Sequence, residues 1–282
     1  MRIEISPGHR LYVDITGFGQ VPHGPTLQDK PVLLCLHGGP GFDHSSFKPA
    51  FSALADITQV VVYDHRGHGR SDRRPRKEWT LDTWADDVVR LCDALGIVKP
   101  IVLGQSFGGF VAQRYLARHP AHPAKVILSS TSAAFNLRRK LAMFERLGGP
   151  GARDLAERFW LDPTPQNMAD YLRELMPLYN PTPGTDPDSG ARKIAVWEIL
   201  DHFVRTEMPS MNLAPGLAKA QCPVLVLAGE DDPVCPLADA QDIAQALPER
   251  WRQFVSLPGC GHGTWRDRPE AAFAVLREFI QS

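Results

Sequence analysis

Apolar residues follow two rhythms along this chain. Five short runs are apolar on both faces: "PVLLCLHGG" (31–39), "TQVVVYDHRG" (58–67), "KPIVLGQS" (99–106), "AKVILSS" (124–130) and "PVLVLAGE" (223–230). Continuous runs of that length, rich in Val, Ile and Leu, suit parallel strands covered by helices on both sides. An alternating stretch, "RLYVDITG" (10–17), reads as an antiparallel edge strand. Helical spacing appears in "TLDTWADDVVRLCDALG" (80–96), which opens at a Thr/Asp cap and stops at Gly96, and in "GGFVAQRYLARHP" (108–120), which ends at Pro120.

The last two strand runs are separated by about ninety residues. That interval holds helix-like segments ("LRRKLAMFERL", "ARDLAERFW", "MADYLRELM", "ARKIAVWEILDHFV") and a Pro/Gly/Asp loop, "PLYNPTPGTDPDSG" (177–190), without a convincing strand. The pattern predicts an α/β core built from residues 1–130 and 219–282, with a helical cap inserted at 131–218. Met143, Phe144, Phe159, Trp160, Tyr171, Trp197 and Phe203 give this cap enough apolar surface to roof a pocket.

Charge adds mainly exclusions. Across 282 residues, 31 Lys and Arg balance 32 Asp and Glu, so no nucleic-acid partner is implied, and Arg70, Arg73, Arg74, Arg76 and Lys77 read as a solvated loop. No apolar stretch approaches the length of a membrane span, and the first residues lack a signal-type apolar core, so a cytoplasmic protein without a membrane partner is expected. Five cysteines are an odd number without framework spacing. Cys35, inside a strand run, reads as a buried thiol, and Cys235 and Cys260 are expected to stay reduced. His37, His44, His65 and His68 show no zinc-type spacing and read as the polar mouth of a pocket, with no metal and no cofactor expected. Nothing in the sequence speaks to the oligomeric state.

Candidate chemistry centres on "VLGQSFGGF" (102–110), a strand followed by Gly-x-Ser-x-Gly and a helix. A turn that sharp strains the serine backbone and crowds its neighbours, which glycine tolerates. It also presents Ser106 Oγ at the C-terminal edge of a sheet and at a helix N-terminus, making Ser106 a candidate nucleophile. The N–H of Phe107, directly after it, is a candidate donor to an oxyanion. A serine hydroxyl needs a base, and the base needs an orienting acid. "LPGCGHGTWRDRPE" (257–270) supplies His262 in a glycine-flanked loop, and "LVLAGEDDPVCP" (225–236) ends a strand with Glu230, Asp231 and Asp232.

The order serine, acid, histidine, together with "HGGPG" (37–41), "GQSFGG" (104–109), "GEDDP" (229–233) and "GCGH" (259–262), resembles the α/β-hydrolases over essentially the whole chain. The resemblance implies Asp232 as the acid, by its spacing from Gly229, and Gly39 N–H as the second oxyanion donor. Within that fold, "HGGPG" and "YDHRGHGRSD" (63–72) resemble the proline iminopeptidase branch, whose members remove an N-terminal proline from peptides. Two positions depart from it: Phe107 stands where that branch usually has tryptophan, and His65 where it has glutamine. "AVWEILDHF" (195–203) resembles the branch's tryptophan-glutamate segment, which would make Trp197 and Glu198 substrate contacts, the carboxylate pairing with an ammonium group. The expected partner is a small molecule or short peptide. A carboxylesterase or lactonase is the alternative, and a hydrolase-like small-molecule receptor a further one.

Overall fold

The apolar runs become the middle of one eight-stranded sheet, ordered β1-β2-β6-β5-β7-β8-β9-β10. The computed structural model describes residues 1–184, 186 and 188–282; Thr185 and Pro187, within the expected 177–190 loop, lie outside the described residues. The parallel strands are β5 (Val32–Leu36), β6 (Gln59–Tyr63), β7 (Ile101–Gln105), β8 (Lys125–Ser129), β9 (Val224–Gly229) and β10 (Arg252–Leu257). Antiparallel strands β2 (His9–Thr16) and β1 (Arg2–Ser6) extend one side, and β3 (Gln20–His23) with β4 (Thr26–Asp29) forms a separate hairpin.

Alternation along these strands sends side chains to two cores. Leu34, Leu36, Val61, Tyr63, Val102 and Val226 face one side, and Leu33, Cys35, Val62, Leu103, Ile127 and Leu225 face the other. On the first face pack α1 (Leu81–Leu95) and α2 (Phe107–Arg118); in α1, Thr80 Oγ1 accepts the Thr83 N–H and Gly96 closes the helix at φ 66°. Between β8 and β9 the described residues form α3 (Leu137–Leu161), α4 (Pro165–Glu174), α5 (Ser189–Arg192), α6 (Trp197–Thr206) and α7 (Ala214–Leu217), with no strand. Within Leu137–Leu161 the segments "LRRKLAMFERL" and "ARDLAERFW" are two helices, separated where Gly149 leaves helical geometry (φ 77°, ψ −175°) ahead of Pro150. After β9 come α8 (Leu237–Ala246), α9 (Thr264–Asp267) and α10 (Pro269–Gln281), the last supplying Leu276, Phe279 and Ile280 to the second core.

Two readings of the pattern need correction. The edge is β1, and β2 lies inside the sheet between β1 and β6; the first residues were too polar to register as a strand. β10, "RQFVSL", is parallel to β9 at the other edge, where an exposed face admits Arg252 and Gln253 and dilutes the apolar signal. All five cysteines are buried and free. No described helix is long and apolar enough to cross a membrane.

Candidate active site

The sheet order changes direction at β5: the chain steps from β5 to β6 on one side, and later returns as β7 on the other. Crevices for ligands open beyond the C-terminal ends of strands at such a switch point. The two loops that leave these ends carry His37–Asp43 and Ser106. Ser106 sits between β7 and α2 at φ 56°, ψ −119°, a conformation that side chains rarely adopt and that costs on the order of 1–3 kcal/mol. Neighbours hold it there: Ser106 N–H donates to Ser129 O (3.0 Å), and its carbonyl accepts from Thr131 Oγ1 (2.8 Å) and Gly109 N–H (2.8 Å). The flanking glycines are needed because a Cβ on Gly108 would run into the Leu36 carbonyl, and one on Gly104 into the Gly108 carbonyl.

Asp232 and His262 meet from the next loops. His262 Nδ1 lies 2.8 Å from Asp232 Oδ2, while Asp232 Oδ1 accepts the N–H groups of Val234 and Cys235, each at 2.8 Å. The carboxylate is fully buried and used only as an acceptor, so Nδ1 carries the proton of this hydrogen bond. Asp231, the neighbouring candidate, turns outward to pair with Arg146 at 2.6 Å, and Glu230 accepts from Ser256 Oγ. The histidine backbone is fixed from both sides: His262 N–H donates to Tyr179 O (2.7 Å) and Gly263 N–H to Ser130 Oγ (2.9 Å). Sequence reasoning missed Tyr179, Ser130 and Thr131. The hydroxyl run Ser129-Ser130-Thr131-Ser132 at the end of an apolar strand was the available signal for the last two.

On the opposite loop, Gly39 takes φ 133°, open to glycine alone, and among the described residues neither its N–H nor that of Phe107 has a hydrogen-bond acceptor. Free N–H groups in this position suit an anion. Behind the loop, His65 N–H donates to His37 Nε2 (3.1 Å), so His37 Nδ1 is the protonated nitrogen that meets Gly38 O at 2.7 Å. His37, His65 and His68 are buried and pack around one another and the Phe107 ring. Burial lowers the pKa of all three, that of His68 to about 3, so the cluster is neutral. These histidines, with His44 hydrogen-bonded to Asp64, form a floor behind the site; none lines its mouth, correcting the sequence reading. Nor is the basic 70–77 stretch simply solvated: Arg70 pairs with Asp43, and Arg73 binds the carbonyls of Gly67, Gly69 and Ser71.

Ser106, His262 and Gly39 all line one cavity of about 920 Å³, roofed by Phe159, Trp160, Tyr171 and Trp197. Phe144 and Phe203 are buried in the core instead. No described group of three or more His, Cys, Asp or Glu side chains is arranged to hold a metal ion.

Residues 31–265 match the family described as the alpha/beta hydrolase fold. The chain belongs to the α/β-hydrolase family. It resembles the proline iminopeptidase branch: a proline iminopeptidase of Lactobacillus helveticus (strain DPC 4571) is 27% identical over 297 residues, covering 97% of this chain and 95% of the relative. A protein of Caulobacter sp. (strain K31), provisionally named a carbamate hydrolase, is 27% identical over 272 residues, covering 94% and 96%. Among solved structures, the proline iminopeptidase of Mycobacterium smegmatis superposes with a TM-score of 0.77 at 25% identity, over 100% of this chain and 97% of that one.

For an α/β-hydrolase so related, the fate of the tryptophan-glutamate pair matters. Trp197 lines the cavity and packs edge-on against Phe42 (5.4 Å between centroids). Glu198 does not reach it. Helix α6 buries Ile199, Leu200, Phe203 and Val204, which turns Glu198 to the solvent-exposed face. Of the two carboxylates that do line the cavity, Asp43 is bound by Ser45, Arg70 and Ile194 N–H, and Asp186 by Arg192.

Proposed function

We propose that this α/β-hydrolase cleaves a small ester or amide through an acyl-enzyme on Ser106. The observation that carries the reading is the Asp232–His262 hydrogen bond, which places a proton on Nδ1 and so makes Nε2 the basic nitrogen of the neutral ring, with His262 on the wall of the cavity that also holds the strained Ser106. In the mechanism, Nε2 takes the Ser106 proton as Oγ attacks the carbonyl carbon. The N–H groups of Gly39 and Phe107 receive the resulting oxyanion, each donor contributing about 10²- to 10³-fold in kcat. Collapse expels the leaving group, which takes the proton from the imidazolium. Water then repeats the sequence and frees the acid. Asp232 holds the tautomer and stabilises the imidazolium without itself being protonated. Residues 131–218 act as a cap that sets preference, and the sheet sets the chemistry.

Within that class, an esterase or lactonase fits better than an aminopeptidase. Among the described residues no carboxylate of the cavity is free to meet an ammonium group, and Glu198 lies outside it. The aminopeptidase reading keeps the support of the relatives named above. Labelling with a fluorophosphonate, lost in Ser106→Ala, tests the nucleophile. Assays of a prolyl-naphthylamide, a short acyl ester and a lactone, run in parallel, decide the class. Dominant turnover of the prolyl amide would restore the aminopeptidase.

A further inference from the structure

The cavity carries two cations that make no ion pair with a described carboxylate. Three basic side chains line it, of which Lys48 is paired with Asp14 at 2.5 Å. Lys193 and Arg266 have no ion pair with any described residue. The nearest acidic groups are already used. Asp267 accepts from Asn180 Nδ2 (2.7 Å), Gly261 N–H (2.8 Å) and Thr182 N–H (3.0 Å), and Asp43 is held by Arg70 (3.1 Å) and Ile194 N–H (3.0 Å). The cavity wall thus carries two positive charges outside any described ion pair, with Arg266 at its exposed rim; Asp43 and Asp267 offset them only from beyond ion-pair distance.

One cation stands on the histidine loop and the other on a cap segment tied to the oxyanion loop. Arg266 lies four residues after His262, in the short helix α9, its guanidinium carbon 5.7 Å from the centre of the Trp265 ring. Lys193 precedes a stretch zipped to the oxyanion loop, where Val196 N–H donates to Gly41 O (2.7 Å) and Ile194 N–H to Asp43. Its ammonium lies 4.9 Å from the centre of the Phe42 ring. Burial pulls Lys193 below the usual lysine range, and the charge of Arg266 pulls it further against the opposing pull of Asp43.

We propose that the substrate bears a carboxylate or comparable anion, which Lys193 and Arg266 receive while its ester or amide carbonyl faces Ser106. This inference rests on the hydrolase reading and narrows it: the charge selected is opposite to that of an N-terminal amine. A bound anion relieves the repulsion between the two cations and gains two charge-assisted contacts. A substrate ammonium group meets two like charges.

Three p-nitrophenyl esters of similar acyl length, with background hydrolysis subtracted, test the inference: the mono-ester of glutarate, the valerate and the γ-(trimethylammonio)butyrate. The expected kcat/KM order is anion, neutral, cation, with the anion ahead of the neutral ester by about tenfold or more. In Lys193→Met/Arg266→Met the ratio of anionic to neutral kcat/KM falls to near one, and in Lys193→Glu the cationic ester gains on the anionic one. Equal rates on the three esters, or a ratio that survives the double substitution, overturns the proposal. Turnover that persists in Ser106→Ala defeats the hydrolase mechanism instead. The charge inference is then read from glutarate binding by titration calorimetry: it stands if the wild type binds and the double variant does not, and falls otherwise.

Discussion

The edge of the sheet and the roof above it are built by different means. At the edge, the groups proposed to react are pinned by hydrogen bonds that involve the backbone: Ser106 to Ser129 and Thr131, Asp232 to Val234 and Cys235, and the His262 loop through Gly263 to Ser130. The roof presents aromatic faces and long flexible cations, and many of its ion pairs, such as Arg173–Asp170 and Arg205–Asp201, lie in solvent, where each adds little. Catalytic geometry tolerates little displacement, so it sits where strand register fixes it. Under the proposed function, preference tolerates more and falls to side chains around the cavity, Lys193 and Arg266 among them, that can change without disturbing the sheet.

Substitutions can break this comparison, and the greatest effect belongs to the edge. Ser106→Ala is expected to lower kcat on an activated ester by about 10⁵-fold with unfolding unchanged. Asp232→Asn follows at about 10³- to 10⁴-fold, because the imidazole loses the partner that selects its tautomer. Asp231→Asn should stay near wild type in the same stopped-flow assay, and the reverse ranking would move the acid by one residue. Phe159→Ala, in the roof, should cost about 3 kcal/mol in urea unfolding through the cavity it leaves. It should alter the ranking of substrates more than the rate on a small activated ester, and a collapse of that rate would mean the roof shares in the chemistry.

Smaller effects sharpen the boundary. The buried imidazoles of His37, His65 and His68 titrate below their ordinary range in the folded chain, whereas unfolded histidine binds its proton near pH 6.5. Below that pH the unfolded state therefore binds more protons, so this contribution is present above about pH 6.5 and is lost as the pH falls, by up to about 1.4 kcal/mol per pH unit for each proton. His68→Asn should flatten the slope of unfolding free energy between about pH 6.5 and about pH 5 by as much as one proton; an unaltered slope would remove His68 from the account. Glu198→Gln closes the series, with stability within about 0.5 kcal/mol of wild type and equal KM changes, near none, for amine and neutral substrates.

Much of the edge was legible in the sequence because its features are local. A serine among glycines after a strand, a histidine between glycines before a helix and three acids at the end of a strand all announce sharp turns. The choice of Asp232 over Asp231 depends on which carboxylate the turn sends inward, and that came from a family resemblance. Glu198 shows the opposite case. Ile199, Leu200, Phe203 and Val204 form an apolar stripe at helical spacing, which assigns Glu198 to the same outer face as Asp201 and Arg205. The periodicity held this information, and the likeness of a short tryptophan-glutamate segment overrode it. Lys193, Arg266 and the Tyr179 carbonyl were beyond reach for another reason: each matters through a neighbour distant in sequence, and a lone basic residue looks the same whether or not a carboxylate stands beside it.

The contact between Tyr179 and His262 binds the two regions mechanically. Gly261 packs against the Tyr179 carbonyl so tightly that a Cβ would collide with it, and the same carbonyl takes the His262 N–H. Any swing that lifts this strap off the sheet strips the histidine loop of its outer anchor. Roof and histidine loop therefore stand or fall together: a substitution that shifts the backbone at Tyr179 shifts the backbone of His262 with it.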